Sequence, residues 1–281
     1  MSPLPENTGK RASKPPKTAR LDEDQAKNSH AAFSSTVVKA LNIIEILASN
    51  SDAGINLTEL SAVLNMPKST THRYLATLLE LNLAERNDTD RFRLGTKVIE
   101  LAGSFLASSD IRKESEPILE EMAKKTGETV HLAVPSGSEV VYIAKVESRH
   151  TLGMFSHIGT RLPMHCTALG KSILAFSRPD LIQTILSEPL QSRTPNTITS
   201  NEALREELVL IRTQGFAVDN EENEVGICCV GAPILNYTGR AIAAMSISGP
   251  CDRMDKERCI QLGPVLQEAV LNISKRKGYA G

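Results

Sequence analysis

Residues 57–94, LTELSAVLNMPKSTTHRYLATLLELNLAERNDTDRFRL, constrain the fold more than any other stretch. Leu57 to Asn65 has the spacing of a short helix, with Thr58 as its expected N-cap and Leu60, Val63 and Leu64 on one face. Pro67 interrupts it, and Met66, preceding a proline, is pushed out of the α region. A second helix is expected next, with Thr71, Leu75, Leu78 and Asn82 at i, i+4, i+7 and i+11, and Leu79 widening the stripe. Its opposite face carries Lys68, Ser69, Thr70, His72 and Arg73, crowded at the N-terminal end. Two short helices, a tight break and polar groups at the start of the second describe a helix-turn-helix. ERNDTDRFRL then reads as a hairpin wing, with Asn87, Asp88, Thr89 and Asp90 turning between basic arms.

The chemistry follows from geometry. A recognition helix enters the major groove N-terminus first, so base-reading side chains must lie in its first two turns. Lys68, Ser69, Thr70, His72 and Arg73 meet that requirement, and Arg86, Arg91 and Arg93 on the hairpin could pair with flanking phosphates. The plain alternative is a small helical bundle whose polar face is merely solvated.

A net charge of −1 over 281 residues excludes a generally cationic nucleic-acid coat, so DNA binding must come from local placement of Arg and Lys. The length suits about two domains. No apolar run approaches the roughly 20 residues of a membrane span, and the N-terminus has no apolar signal region. Five cysteines, an odd number without C-x-x-C spacing, argue against a disulfide framework. A cytoplasmic protein is expected.

Residues 1–33, rich in Pro, Lys, Ser and Asn, read as a disordered tail with a basic patch from Lys10 to Arg20. Ser35 to Ala48 is a first helix, striped by Val38, Leu41, Ile44 and Leu47, which completes a winged DNA-binding domain over 34–95. An amphipathic linker helix follows over 96–108. Residues 109–278 alternate between helices (111–125, 179–187, 199–212 and 256–275) and strands. The strands comprise a hairpin about Pro135 to Ser138, a strand near Thr151 to His157, and a pair at 226–235 and 241–248. Thr199 and Glu202 are spaced as a capping box and Gly215 as a stop. Hairpins interleaved with long helices predict an α+β domain with an antiparallel sheet.

The sequence has no G-x-S-x-G, phosphate-cradling glycine loop or H-E-x-x-H, and its six histidines lack metal-ligand spacing. His165 beside Cys166 is a poor nucleophile and base, because adjacent side chains rarely point at each other. No catalytic residue, metal or cofactor is expected. Three stretches nevertheless look purposeful. MHCTALGKS opens a helix with small residues, leaving its first N–H groups approachable by an anion. GFAVDNEENEVGICCVGAP runs an acidic loop into a strand holding Cys229. In MSISGP, Ser246 and Ser248 share one strand face. These groups could converge on one small polar ligand. Equally, the loop could be solvated and the serines could serve buried backbone.

Taken with VVKALNIIEIL and the helix pair above, these stretches resemble the IclR family of bacterial transcriptional regulators over roughly residues 35–278. The resemblance implies a winged helix-turn-helix, a linker helix and a C-terminal GAF-like effector domain. It implies a homodimer or homotetramer on palindromic double-stranded operators, acting as a repressor and answering to small organic acids, without a membrane partner. Effector contacts would fall at Ala168, Leu169, Asp219, Cys229, Ser246 and Ser248, with apolar walls at Met154, Leu162 and Ile227. Where some members have Gly-Ala at the helix start, this chain has the bulkier Ala168-Leu169, which narrows the pocket mouth. HLAVPSGSEVVYIAKVES and SHIGTRLPMHCTALGKSIL look most similar to the branch that controls pectin and sugar-acid breakdown and responds to 2-keto-3-deoxygluconate. A competing reading is a metabolite-binding or catalytic GAF-like protein that uses its helical N-terminus only to dimerise.

Overall fold

The computed structural model describes residues 34–108, 110–148 and 156–280. The chain divides into two compact units, one ending at Leu101 and the other beginning at Ala102. The expected tail at 1–33 lies outside the described residues.

In the first unit, α1 (Ser35–Ser49), α2 (Leu57–Leu64) and α3 (Lys68–Glu80) pack around Ile43, Leu47, Leu60, Leu75 and Leu78. The wing is β1 (Ala84–Arg86) paired antiparallel with β2 (Phe92–Leu94), and it adds Ala84 and Phe92 to that core. An isolated bridge between Ile55 and Phe92 ties the wing to the loop before α2. Three expectations need correction. The N-cap of α2 is Asn56, not Thr58. Its side chain accepts the N–H groups of Thr58 and Glu59 at 2.9 Å, and Glu59 reaches back to the Asn56 N–H at 3.2 Å. Val63 is 62% exposed, because a helix of eight residues turns only Leu60 and Ser61 fully inward. Asn82 lies beyond α3 with φ 56°, where it helps to end the helix rather than extend its stripe.

The second unit begins within α4 (Lys97–Ser108), which is followed by α5 (Asp110–Thr126). Its centre is a six-stranded sheet in the order β5-β4-β3-β8-β7-β6, every neighbouring pair antiparallel. The strands are β3 (Thr129–Ser136), β4 (Glu139–Val146), β5 (Arg161–Pro163), β6 (Ala217–Asn220), β7 (Ile227–Leu235) and β8 (Ala241–Pro250). Alternation decides what each face carries. Cys228, Val230, Ala232 and Ile234 of β7 and Ala243, Met245 and Ile247 of β8 pack under α5 and α9 (Lys256–Arg276). The other face is covered by α6 (Ala168–Ala175), α7 (Pro179–Ser187) and α8 (Asn201–Gln214), packed about Leu169, Ile173, Leu204 and Leu208.

Most of the expected strand near Thr151–His157 falls outside the described residues. One edge strand is Arg161–Pro163, paired with Glu139–Val141. The cap of α8 is Ser200, accepting the Ala203 N–H at 3.3 Å, rather than Thr199, while Gly215 ends the helix at φ 83° as expected. Ala217–Asn220, expected within an acidic loop, instead forms the other edge strand, β6.

One disulfide forms, although the cysteine count argued against a disulfide framework. Cys228 and Cys251 are joined, 23 residues apart, with Cα atoms 5.1 Å apart. Antiparallel pairing sets Cys228 opposite Gly249, two residues short of Cys251. Closing a loop of this length is expected to contribute about 3 kcal/mol. Urea titrations of the intact protein with and without a thiol reductant should show that loss, and identical midpoints would mean the bond adds no stability.

Candidate functional site

Two sites were expected. On α3, Lys68, Ser69, His72 and Arg73 are exposed and Thr70 is half-buried, while Thr71, Leu75 and Leu78 face the core. Among the described residues no carboxylate lies within ion-pair distance of Lys68, His72 or Arg73. The N-cap position is Pro67, whose side chain cannot accept a hydrogen bond, so the N–H groups of Lys68 and Ser69 have no acceptor among the described residues. The wing arginines are less free than expected. Arg91 donates from Nε to the Gly54 carbonyl at 3.1 Å and from its guanidinium to Glu59 at 2.6 Å, so it clamps wing to helix. Arg93 pairs with Glu85 at 2.6 Å and Arg86 with Asp90, both in exposed positions where such pairs exchange readily.

The second site is a small cavity of about 20 Å³, room for about one water, between α6 and the sheet. It is lined by Leu162, Ala168, Leu169, Asp219, Ile227, Cys229, Ser246 and Ser248. The fold therefore brings together eight of the nine expected effector residues, and the ninth, Met154, lies outside the described residues. Register explains the convergence. Asp219 on β6 pairs with Cys229 on β7, which pairs with Ser248 on β8, so the three side chains share one face. The start of α6 sits directly on that face. A Cβ at Gly231 would lie 2.7 Å from the Ala168 carbonyl group, so only glycine permits the approach. Thr167 caps α6 by accepting the Gly170 N–H at 3.1 Å. Among the described residues nothing accepts the N–H groups of Ala168 and Leu169.

The acidic stretch is no solvated loop. Asp219 is 3% exposed and accepts the Glu222 N–H at 2.7 Å. Burial, reinforced by Glu222, raises its carboxyl to about 7. Glu222 is itself buried and ion-paired at 2.6 Å with Lys171 of α6, a lysine of 0% exposure that also reaches Glu207 of α8 at 2.9 Å. Thr194 and Thr197 donate to the carbonyls of Glu221 and Glu222, each at 2.6 Å, and hold the turn from outside. Ser246 and Ser248 have their hydroxyls 3.3 Å apart, and burial pushes the Cys229 thiol well up. The cavity can thus offer uncapped N–H groups at one side and hydroxyls and a protonatable carboxyl at the other.

Sequence reasoning missed Tyr142, Thr167, Asn223 and Glu224 in the lining, and Lys171 behind it. Lys171 carried a readable signal, being the lone charge in ALGKSILA. His165 donates to the Gln191 carbonyl at 3.0 Å, and burial pushes the Cys166 thiol up to about 12, so the two form no nucleophile and base pair. No helix among the described residues is long and apolar enough to cross a membrane.

Residues 103–275 match the family described as bacterial transcriptional regulator IclR C-terminal, and residues 36–88 match the IclR helix-turn-helix domain. The HTH-type transcriptional regulator KdgR of Escherichia coli is 36% identical over 247 residues, which span 87% of this chain and 93% of that protein. The HTH-type transcriptional regulator XynR of the same organism is 35% identical over 246 residues, 87% of this chain and 97% of that one. The crystal structure of the Thermotoga maritima IclR has a TM-score of 0.72 and 38% identity, covering 87% of this chain and 99% of that chain.

Proposed function

The chain belongs to the IclR family of bacterial transcriptional regulators, and from that premise we propose that it represses a carbon-source catabolic operon until a small sugar acid, such as 2-keto-3-deoxygluconate, occupies the cavity under α6. The alternative of a GAF-like enzyme drops away, since the relatives it matches along most of their length are named transcriptional regulators. The single observation that carries the effector reading is the convergence of Ala168, Asp219, Cys229, Ser246 and Ser248 on one buried space. The acid's carboxylate would take the uncapped N–H groups of Ala168 and Leu169, and its hydroxyls would take Ser246, Ser248 and Asp219. A space of about 20 Å³ is smaller than such an acid, so binding has to move α6 or the turn at 220–226. That displacement is the natural origin of a signal.

The operator would be palindromic and the protein a homodimer or homotetramer, with α3 in the major groove of each half-site. Effector and operator must then be coupled reciprocally, and a tenfold change in operator affinity requires about 1.4 kcal/mol of differential binding. Capture of fragmented genomic DNA on the purified protein, followed by sequencing, tests the regulator. Enriched palindromes beside catabolic genes support it, and no enrichment at low salt would end it. On the operator so found, Arg73→Ala should cost about 1–3 kcal/mol and relax sequence preference. A loss of equal size on random DNA, with a shallower salt slope, would instead assign Arg73 to a phosphate.

A further inference from the structure

We propose that the effector site extends across the sheet to His131, and that this histidine selects hydroxylated acids of five or six carbons over short 2-oxo acids. The proposal rests on the effector reading of the cavity. His131 lies on β3 directly opposite Ser246 of β8, and Ser246 lies opposite Gly231 of β7, on which the start of α6 rests. Helix start, Ser246 and His131 therefore form one row across three neighbouring strands. At about 4.8 Å per strand the row is about 10 Å long. A three-carbon acid whose carboxylate holds the helix start ends near Ser246, one strand short. A chain of five or six carbons reaches the imidazole.

The ring is built for such a contact. It is fully buried and stacks on Tyr142, itself a lining residue, with centroids 4.5 Å apart. Nε2 lies 2.8 Å from the Ser156 hydroxyl, and Nδ1 has no partner among the described residues. A buried ring nitrogen without a partner is costly, and an incoming hydroxyl or carbonyl supplies what it lacks. Burial, together with the nearby Lys145 ammonium, lowers the imidazole to about 3, so it is neutral. A neutral ring can donate or accept one hydrogen bond but adds no charge. It thus suits the uncharged tail of the ligand and leaves the carboxylate to the helix start.

Calorimetric titration of the full-length protein with pyruvate and with 2-keto-3-deoxygluconate tests the assignment. His131→Phe keeps the stacked ring but removes both nitrogens. It should weaken the six-carbon acid at least tenfold and leave pyruvate within about twofold. His131→Asn places a polar atom where Nδ1 stood and should restore part of the loss. If both acids weaken together, or neither does, the assignment is overturned. A ring-nitrogen NMR spectrum of the wild type needs no variant. The Nδ1 resonance should move with the six-carbon acid and stay still with pyruvate, and the reverse pattern overturns the proposal as well. Failure of the wild type to bind either acid would refute the effector reading itself, an outcome distinct from binding that ignores His131.

Discussion

Lys171→Met is expected to destabilise the C-terminal unit by about 3–5 kcal/mol, the usual consequence of removing one member of a buried ion pair. The lysine is wholly buried, and its ammonium lies 2.6 Å from Glu222 and 2.9 Å from Glu207. Without it, Glu222 remains buried, with one oxygen that already lacks a partner among the described residues. The charge, rather than the volume, sets the cost, since methionine fills nearly the same space. Lys171→Met combined with Glu222→Gln should therefore recover part of the loss by removing the stranded carboxylate. Urea unfolding followed by circular dichroism reads both variants. The transition of the N-terminal unit, whose core shares no residue with this network, should stay in place. A single-variant loss under about 1 kcal/mol would show that water or rearrangement solvates Glu222, and that the ion pair contributes little.

The location of that ion pair marks the limit of what could be read from the chain. The winged unit was legible because its information is local. Helices of eight to fifteen residues, the break at Met66-Pro67 and the turn at Asn87–Asp90 each announce themselves within a few positions. The misplaced caps show how short-range competition is settled. Asn56 and Thr58 are both good caps, and the choice falls to Asn56 because Glu59 stands three residues on to answer it. The effector unit depends instead on pairings over long separations. β6 reads as a loop because its Asp219 is buried beside Cys229, a position where an acidic side chain is unexpected. The disulfide was invisible because only the β7–β8 register brings Cys228 near Cys251. Pattern alone marked the helix start, the acidic stretch, Cys229, Ser246 and Ser248 as candidates, and the family resemblance supplied the individual lining positions. Their shared face follows from period-two alternation on three strands, and the order of those strands cannot be read from local pattern.

Asp219 gives the second large effect, and its sign can be worked out. An ordinary aspartate ionises near 3.8, whereas burial and then Glu222 hold this one at about 7 in the folded chain. Between those values the folded state keeps a proton that the unfolded chain has released. This contribution to stability is complete below about pH 4 and is lost as pH climbs through 7. Asp219→Asn mimics the protonated form and can still accept the Glu222 N–H. The variant should be more stable than wild type by a few kcal/mol at pH 8.5 and nearly equal to it at pH 4, as read by urea midpoints. The same proton bears on the effector. An ionised Asp219 repels an anionic acid in so small a space. If only the protonated form binds, wild-type affinity should fall about tenfold per pH unit above 7, while the asparagine variant stays flat. Wild-type affinity that is itself flat from pH 6 to 8.5 would separate the Asp219 proton from binding, and would make this carboxyl a brace for the turn at 220–226.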